Sequence, residues 1–153
     1  MSEDLGVLQD QSFARATSAT VAAYPAERRL GAGQLADYLD RRAFAVIGTS
    51  RPDGRAHAAM SSYVRTGAMF WLPTVAGAVR ERNVRRMPWL TMTVTEGDRN
   101  DHIVVLIEGP AEAVAADGVP HEVRSAVTGD WVDSWIRLQA ARLFSYAADG
   151  ALA

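Results

Sequence analysis

The sequence contains no cysteine, and this absence excludes disulfide bonds, thiolate metal sites and cysteine nucleophiles. Long hydrophobic runs are missing as well, since the longest apolar stretches, such as residues 103–107, are far too short to cross a bilayer. Residues 1–5 are acidic and polar, so no secretory leader is expected at this end of the sequence. We therefore expect a cytoplasmic protein that makes no contact with a membrane.

Lysine is also absent, so all 16 basic residues are arginines. Together with the abundant alanine, this indicates a GC-rich genome, and it weakens any argument that a particular arginine was selected over lysine for bidentate recognition. The 18 acidic residues give a net charge of -2, which argues against a general affinity for nucleic acid because such binding requires a basic face. The length of 153 residues is that of one domain with its own core.

Several catalytic and metal-binding patterns are missing too. His57, His102 and His121 are scattered, and none has the spacing of a His-Glu-x-x-His pair, so no metal is expected. The sequence holds no Gly-x-Ser-x-Gly nucleophile elbow, no Walker motif and no dinucleotide-binding glycine pattern. Hydrolase and nucleotidase functions therefore have no support in the sequence.

The first half of the chain predicts a helical arm followed by a β-meander. Residues 1–30 form a weakly patterned arm with some helix inside 12–23. After Gly31 and Gly33, apolar residues at helical spacing predict a short helix over 34–42. Three strands follow, over 43–49, 56–64 and 68–72. They are joined by the turn Arg51-Pro52-Asp53-Gly54-Arg55 and by a second turn at 65–67.

The second half predicts one helix between loops and then more strands. A loop over 73–77 leads into a helix over 78–87, which Pro88 ends. Further strands are predicted over 89–95, 102–108 and 111–116, the last two separated by Gly109-Pro110. A helix within 119–135 and a closing strand over 137–146 complete the chain. About six strands joined mostly by short turns indicate a mainly β, antiparallel barrel with a few short helices, formed by residues 31–153 as one domain.

The order of these motifs resembles the pyridoxamine 5′-phosphate oxidase-like split-barrel family. The resemblance rests on the strand before Arg51-Pro52-Asp53-Gly54-Arg55, the meander after it, and the segment Ala78-Val79-Arg80-Glu81-Arg82-Asn83-Val84-Arg85-Arg86-Met87-Pro88-Trp89. It covers residues 35–114, with a weaker match at Trp135-Ile136-Arg137, and is most similar to the actinobacterial flavin/deazaflavin-dependent oxidoreductases. It implies a six-stranded split barrel and a homodimer with the cofactor in a groove between the subunits.

The resemblance leaves the cofactor divided between FMN and the deazaflavin coenzyme F420. The family's pyridoxamine 5′-phosphate oxidases have Ser-Arg-Lys where this chain has Ala78-Val79-Arg80, which argues against vitamin B6 oxidation. Arg80-Glu81-Arg82-Asn83 is closer to the basic-x-Arg-Asn segment of the deazaflavin branch. The implied reaction is hydride transfer between this cofactor and a small conjugated or aromatic substrate, and no catalytic acid or base is assigned.

The residues expected to hold the phosphate lie where the loop over 73–77 enters the helix. A helix N-terminus offers free N–H groups, and Gly77 lets the backbone approach a ligand closely. Arg80 can add a bidentate contact, and Arg55 can reach the same phosphate or only keep its turn soluble. The alternative is that the arginines form a solvated helix face. The predicted phosphate-binding residues are Arg55, Gly77, Ala78, Val79, Arg80, Arg82 and Asn83.

Other residues are expected beside the ring of the cofactor. In the family, the strand containing Met60, Ser61 and Ser62 runs beneath the ring, and only one of two adjacent serines can face it. Thr74 and Val75 are expected at the ring edge, and Trp135 and Arg137 of the second subunit are expected to complete the pocket. Most buried tryptophans are simply core residues, so Trp135 has that alternative as well.

Two other functions remain open from the sequence. A protein that stores or carries a cofactor, haem or a related ligand on the same barrel would need the same phosphate-binding residues without any turnover. A nucleic-acid-binding role for Arg80 to Arg86 is disfavoured by the net charge of the chain.

Overall fold

The computed structural model describes residues 2–149 and 151. Its helices are α1 (Ser2–Ala14), α2 (Ser18–Ala23), α3 (Ala32–Arg41), α4 (Val79–Arg86) and α5 (His121–Ser125). Its strands are β1 (Phe44–Ser50), β2 (Ala56–Ser62), β3 (Val64–Thr66), β4 (Met69–Thr74), β5 (Trp89–Glu96), β6 (Ile103–Val114), β7 (Ser134–Gln139) and β8 (Arg142–Ala147). None of the described helices combines the length and the apolarity that a membrane span requires.

The mainly β, antiparallel fold predicted from the sequence is confirmed, although the described residues form eight strands rather than about six. The strands follow the order β2-β1-β5-β6-β7-β4-β3, and β8 pairs with β6 outside this path. All pairings are antiparallel. The inward-facing side chains alternate along each strand with outward-facing ones, and they form one core that includes Ile47, Leu72, Leu90 and Leu138. Strand β2 and the β3–β4 hairpin are the two ends of this order, so no ladder joins them.

The prediction that Gly109-Pro110 separates two strands is wrong, because β6 passes through both residues unbroken. At this point β6 changes its neighbour, since Glu108 is its last residue paired with β8 and Ala111 is its first paired with β7. A Cβ atom on Gly109 would collide with the Gln139 carbonyl, so glycine is needed where the β7–β8 corner passes close to β6.

The predicted boundaries at both ends of the chain need correction as well. The helix expected within 12–23 is two helices, separated where the Thr17 side chain accepts the Thr20 N–H and caps α2. The helix expected within 119–135 is reduced to the five residues of α5, and the strand expected over 137–146 is two strands, β7 and β8. In the meander, the strand expected over 56–64 ends at Ser62, and β3 follows separately.

Helix α1 is attached to the barrel by a buried polar network that involves Gln9, Ser12 and Ser145. The Gln9 amide donates to the Leu30 carbonyl at 2.8 Å, and the Leu30 N–H donates to Ser145 Oγ at 3.0 Å. Ser145 in turn donates to Gln9 Oε1, and Ser12 Oγ accepts the Leu143 N–H at 3.0 Å. Because these groups are buried, each hydrogen bond replaces one that water can no longer make.

We expect Ser145→Ala to lower the free energy of unfolding by about 1–3 kcal/mol, because it leaves the buried Leu30 N–H and Gln9 carbonyl without partners. Urea denaturation measures the change. The matched control is Ser125→Ala, since Ser125 is exposed and bonds only within its own helical turn. Equal unfolding midpoints for Ser145→Ala and the wild-type protein would contradict the prediction.

Candidate functional site

Arg80 bridges β2 and β4 at the gap between these strands, here called the opening, where no ladder of the described residues connects them. Its Nε donates to Thr74 Oγ1 on β4 at 2.9 Å, and its Nη1 donates to the Met60 carbonyl on β2 at 3.0 Å. The side chain is half-buried, and this burial lowers the pKa of Arg80. A guanidinium nonetheless remains charged at any physiological pH. The opening therefore contains one fixed positive charge with further N–H groups available to a ligand.

The free edge of β2 presents backbone groups to the same opening. In an antiparallel pair, the N–H and C=O of one residue point to the same side of the strand. Because the Met60 carbonyl accepts from Arg80, the Met60 N–H also faces the opening rather than β1. Ser61 is buried on the inner face, where its hydroxyl donates to the Ser62 carbonyl, whereas Ser62 shares the outer face with Met60. Only Ser62 of the two serines lies on the Met60 side.

Three amide groups of the segment that connects β4 to α4, here called loop 74–78, are hydrogen-bonded within the chain. The Ala76 N–H donates to Asp133 Oδ1 at 2.6 Å, the Gly77 N–H to Glu81 Oε1 at 3.0 Å, and the Ala78 N–H to the Val75 carbonyl at 3.1 Å. Gly77 has a φ of 85°, a conformation that glycine adopts without strain. These three amides are therefore not free for a ligand phosphate.

Glu81 and Ser134 are the buried polar residues that stabilise this loop. Neither was predicted as a site residue from the sequence. Both are buried, and the Ser134 hydroxyl donates to Glu81 Oε2. Burial alone would raise the pKa of the Glu81 carboxyl, but hydrogen bonds from Gly77 and Ser134 and the charge of Arg85 outweigh it and hold this pKa below its usual value. The available signal was the position of Glu81, three residues into a helix, where a carboxylate commonly caps the preceding backbone.

A second group of arginines lies on the other side of α4. The cavity between α4 and the β1–β2 turn, here called the arginine cavity, has a volume of about 460 Å³. Residues two apart on a helix point in nearly opposite directions, which is why Arg82 lines this cavity while Arg80 faces the opening. The residues that line the cavity are Arg51, Pro52, Asp53, Val79, Arg82, Asn83 and Arg86.

Two of the cavity's three arginines have free guanidinium groups. Within the described residues, the side chains of Arg51 and Arg82 make no hydrogen bond or ion pair. Arg86 donates to the Asn83 amide oxygen at 3.3 Å and to the Ser50 carbonyl, so its position is fixed. Asn83 is buried and donates to Thr49 Oγ1 at 3.1 Å. The sequence pointed to Arg82 and Asn83 but not to Arg51 or Arg86, since it does not show which arginines of the turn and helix converge.

The remaining predicted residues are distributed around these two features. Arg55 is exposed on the turn, 3.5 Å from the Asp53 carboxylate, and lies outside the residues that line the cavity. Thr74 is fully buried beneath Arg80, whereas Val75 is exposed at the rim of its loop. The structure thus brings Met60, Thr74 and Arg80 into direct contact.

Trp135 and Arg137 do not join Arg80 within one chain. Trp135 is 3% exposed and packs on the outer face of the barrel with Trp71, Val119 and Val123. Arg137 pairs with Glu112, and its guanidinium lies 5.9 Å from the centre of the Trp71 ring. Any contact of these two residues with a cofactor would have to be made across a subunit interface, and that role remains a prediction.

The three histidines do not form a metal centre. Among the residues that the structure describes, no group of three or more His, Asp or Glu side chains is arranged to hold a metal ion. His57 faces inward on β2 with its Nδ1 buried and without a hydrogen-bond partner, and His102 stacks on Tyr146.

Comparison with known proteins agrees with this architecture. The family model described as pyridoxamine 5′-phosphate oxidase matches residues 32–150. No curated protein sequence gives a significant match. Among solved structures, the conserved hypothetical protein Rv2991 from Mycobacterium tuberculosis is similar at a TM-score of 0.69 and 24% identity, over 81% of this chain and 89% of that one.

Two further structures are similar at lower identity. One is the FAD-binding protein from Mycobacterium smegmatis, with a TM-score of 0.66 and 17% identity, over 79% of this chain and 98% of that one. The other is the haem storage protein HutZ from Vibrio cholerae, with a TM-score of 0.59 and 12% identity, over 78% of this chain and 96% of that one. At these identities the likeness establishes a shared fold.

Proposed function

The chain belongs to the pyridoxamine 5′-phosphate oxidase family, and on that premise we propose that it binds a phosphorylated flavin or deazaflavin and works with it as an oxidoreductase. The observation that carries the proposal is Arg80, which is held at the opening by Thr74 and the Met60 carbonyl. The half-buried Arg80 guanidinium can bind an anionic group of a cofactor. The unpaired edge of β2 beside it can bind the polar edge of a planar ring.

The chemistry of the donor groups is compatible with such a cofactor. The polar edge of a flavin or deazaflavin ring carries alternating hydrogen-bond acceptors and a donor, and the free edge of β2 offers backbone N–H and C=O groups. Arginine side chains are suited to phosphate because their planar fork donates two hydrogen bonds at once. Met60 and Ser62 would lie beside the ring, Thr74 would hold Arg80 from its buried position, and Arg80 would hold the phosphate.

When bound, the ring supplies the capacity to accept or donate a hydride. The chain's own residues would bind the ring and orient it. Arg80 contributes a fixed positive charge, and the edge of β2 determines where the polar side of the ring lies. No side chain is assigned as an acid or base, and a small conjugated or aromatic substrate is proposed for the open side of the groove.

Between the two cofactors, we propose the deazaflavin. FMN has one compact phosphate, for which Arg80 provides a cation at the opening. The arginine cavity adds Arg51 and Arg82, whose guanidinium groups have no partner among the described residues, on the opposite side of α4. A second cationic site of this kind suits a cofactor with an anionic extension beyond its first phosphate, as coenzyme F420 has.

The visible spectrum of the purified protein, followed by titration with FMN, FAD and the deazaflavin, tests the proposal directly. FAD is included because one of the similar structures is described as an FAD-binding protein. Absence of binding to all three would reject it. Since the same fold also occurs in a haem storage protein, turnover has to be measured separately. A change in absorbance when reduced cofactor meets candidate acceptors indicates an enzyme, whereas tight binding without such a change indicates a carrier.

We also propose that the protein is a homodimer, as expected for the family. Several large apolar side chains are exposed on and beside β1, β2 and β5, here called the outer apolar face. Phe44 is 58% exposed and Met60 67%, and Val46 lies directly opposite Met60 in the β1–β2 register. Exposed apolar patches of this kind commonly mark protein–protein interfaces. The members of the outer apolar face are Phe44, Val46, Met60, Met87 and Trp89.

We expect Val46→Asp to convert the dimer into a monomer, because it places a charge beside Phe44 and Met60 on the outer apolar face, where the side chains of the proposed partner would exclude water. Sedimentation velocity at micromolar concentration measures the change. Val21→Asp is the matched control, since Val21 is exposed on α2 and outside this face. A wild-type protein that is monomeric yet binds its cofactor would contradict the prediction, and so would a dimeric Val46→Asp protein.

A further inference from the structure

We propose that Glu81 is a positioning residue that fixes loop 74–78 and, through it, Arg80, so that cofactor affinity depends on a carboxylate that does not touch the cofactor. The inference rests on the proposed function for its consequence, but the effect on the loop can be measured without any cofactor.

The first step is the burial of a charged group. Glu81 is 4% exposed although it lies on a short helix rich in arginine. Burying an ionised carboxylate is costly unless hydrogen bonds and opposite charges compensate. Here Oε1 accepts the Gly77 N–H, Oε2 accepts the Ser134 hydroxyl, and Arg85 lies 3.5 Å away. Since these partners hold the carboxyl ionised, its interactions are those of an anion.

The second step is the position of this anion. The amides at the start of a helix and the positive end of its dipole are where proteins commonly hold a ligand phosphate. Directly before α4, the amide of Gly77, the residue that precedes the N-cap Ala78, donates to Glu81. The chain therefore provides its own anion at this place. A ligand phosphate near Arg80 would be held by that side chain rather than by the Gly77 amide.

The third step connects Glu81 to Arg80. Ser134, which donates to Glu81, is the residue directly opposite Thr74 in the β4–β7 register. Thr74 is the residue that accepts from Arg80 Nε. Glu81 thus binds both ends of the loop, Gly77 directly and Thr74 through its neighbour on β7. Its loss releases the segment that determines where the Arg80 guanidinium lies.

A second carboxylate completes the support of the loop. Asp133, the residue before Ser134, accepts the Ala76 N–H, and its own N–H donates to the Thr74 carbonyl at 3.3 Å. Two consecutive residues from the start of β7 therefore determine the loop conformation together with Glu81. The loop is organised before any ligand arrives, so binding does not have to order it.

The experiment compares Glu81→Ala and Glu81→Gln with the wild-type protein, and uses Glu122→Gln on the exposed face of α5 as the matched control. Amide hydrogen exchange is measured by NMR without cofactor. We expect the Gly77 amide to exchange at least about tenfold faster in Glu81→Ala, since its hydrogen bond is lost. Exchange in Glu81→Gln should be intermediate, because the amide oxygen still accepts one bond.

The cofactor dissociation constant is measured on the same proteins. We expect it to rise about tenfold in Glu81→Ala, less in Glu81→Gln and not at all in Glu122→Gln. Ser145→Ala separates positioning from general stability, because it lowers stability far from the loop and should leave the dissociation constant unchanged. The proposal is overturned if Glu81→Ala exchanges its Gly77 amide faster but binds the cofactor with unchanged affinity. It is also overturned if the exchange rate of the Gly77 amide does not change. If the wild-type protein binds neither cofactor, the proposed function fails while the exchange data still decide the role of Glu81 in the loop.

The dependence on pH gives one more readout. Because the folded-state pKa of Glu81 is lowered, its ionised form adds stability above the ordinary glutamate pKa of about 4.3, and this contribution disappears as the pH falls through the lower folded value. The stability difference between the wild-type protein and Glu81→Gln should therefore be constant from about pH 6 to 8 and decrease below about pH 4. A difference that does not change with pH would show that the charge of Glu81 is not what holds the loop.

Discussion

Arg80→Ala is expected to weaken binding of the flavin or deazaflavin by about 10- to 100-fold, the loss that follows when a charge-assisted hydrogen bond is removed from a partly buried site. Arg80 is already held in place by Thr74 and the Met60 carbonyl, so little conformational freedom is lost when an anion binds to it. Equilibrium titration of the purified protein with each cofactor measures the effect.

Two further variants make this result interpretable. Arg80→Lys keeps the charge but loses the planar fork, so it should fall between the wild-type protein and Arg80→Ala. Arg124→Ala removes an exposed arginine on α5 and should leave the affinity unchanged. If Arg80→Ala binds every cofactor as tightly as the wild-type protein does, Arg80 is not part of the site and its role is only to join β2 to β4.

The parts of the fold determined by local sequence could be predicted. The turn at 51–55 forms as its residues indicate, since the Asp53 carboxylate accepts the Arg55 N–H and Gly54 has a φ of 85°. Helix α4 begins after the glycine-containing loop and ends before Pro88. In each case the residues that specify the structure are within a few positions of one another.

The parts that depend on distant contacts could not be predicted. Gly109-Pro110 resembles a break between two strands when only the sequence is considered. The glycine is required for another reason, because the β7–β8 corner, about 30 residues further along the chain, passes close to β6 at this point. Likewise the helix expected within 119–135 is limited to α5, and the valines of this segment, Val119, Val123, Val127 and Val132, pack with Trp71 and Trp135 on the outer face of the barrel. Neither contact leaves a local signal.

The candidate site likewise combines residues that the sequence predicts with contacts between distant residues that it does not predict. Arg80, Thr74 and Met60 were predicted separately, and they are in contact in the structure. The opposite directions of Arg80 and Arg82 follow from helix geometry and can be derived from the sequence alone. By contrast, the buried pair Glu81 and Ser134 joins residues 53 positions apart, and the convergence of Arg51 with Arg82 depends on where the β1–β2 turn lies against α4.

The choice between cofactors depends on that convergence. We expect protein expressed in a host that makes FMN but no deazaflavin to purify nearly colourless, and to bind added deazaflavin more tightly than FMN.

The double variant Arg51→Ala with Arg82→Ala should then lose about tenfold or more in affinity for the deazaflavin and much less in affinity for FMN, because two unpaired guanidinium groups are removed from the arginine cavity. The same interaction should weaken as salt is raised, since these side chains remain accessible to water. Arg15→Ala with Arg124→Ala is the matched control, because it removes two exposed arginines outside the site. A yellow preparation that carries stoichiometric FMN, or an equal loss of FMN and deazaflavin affinity in the double variant, would assign the cavity to the FMN phosphate and overturn the choice, while the role of Arg80 at the opening would stand.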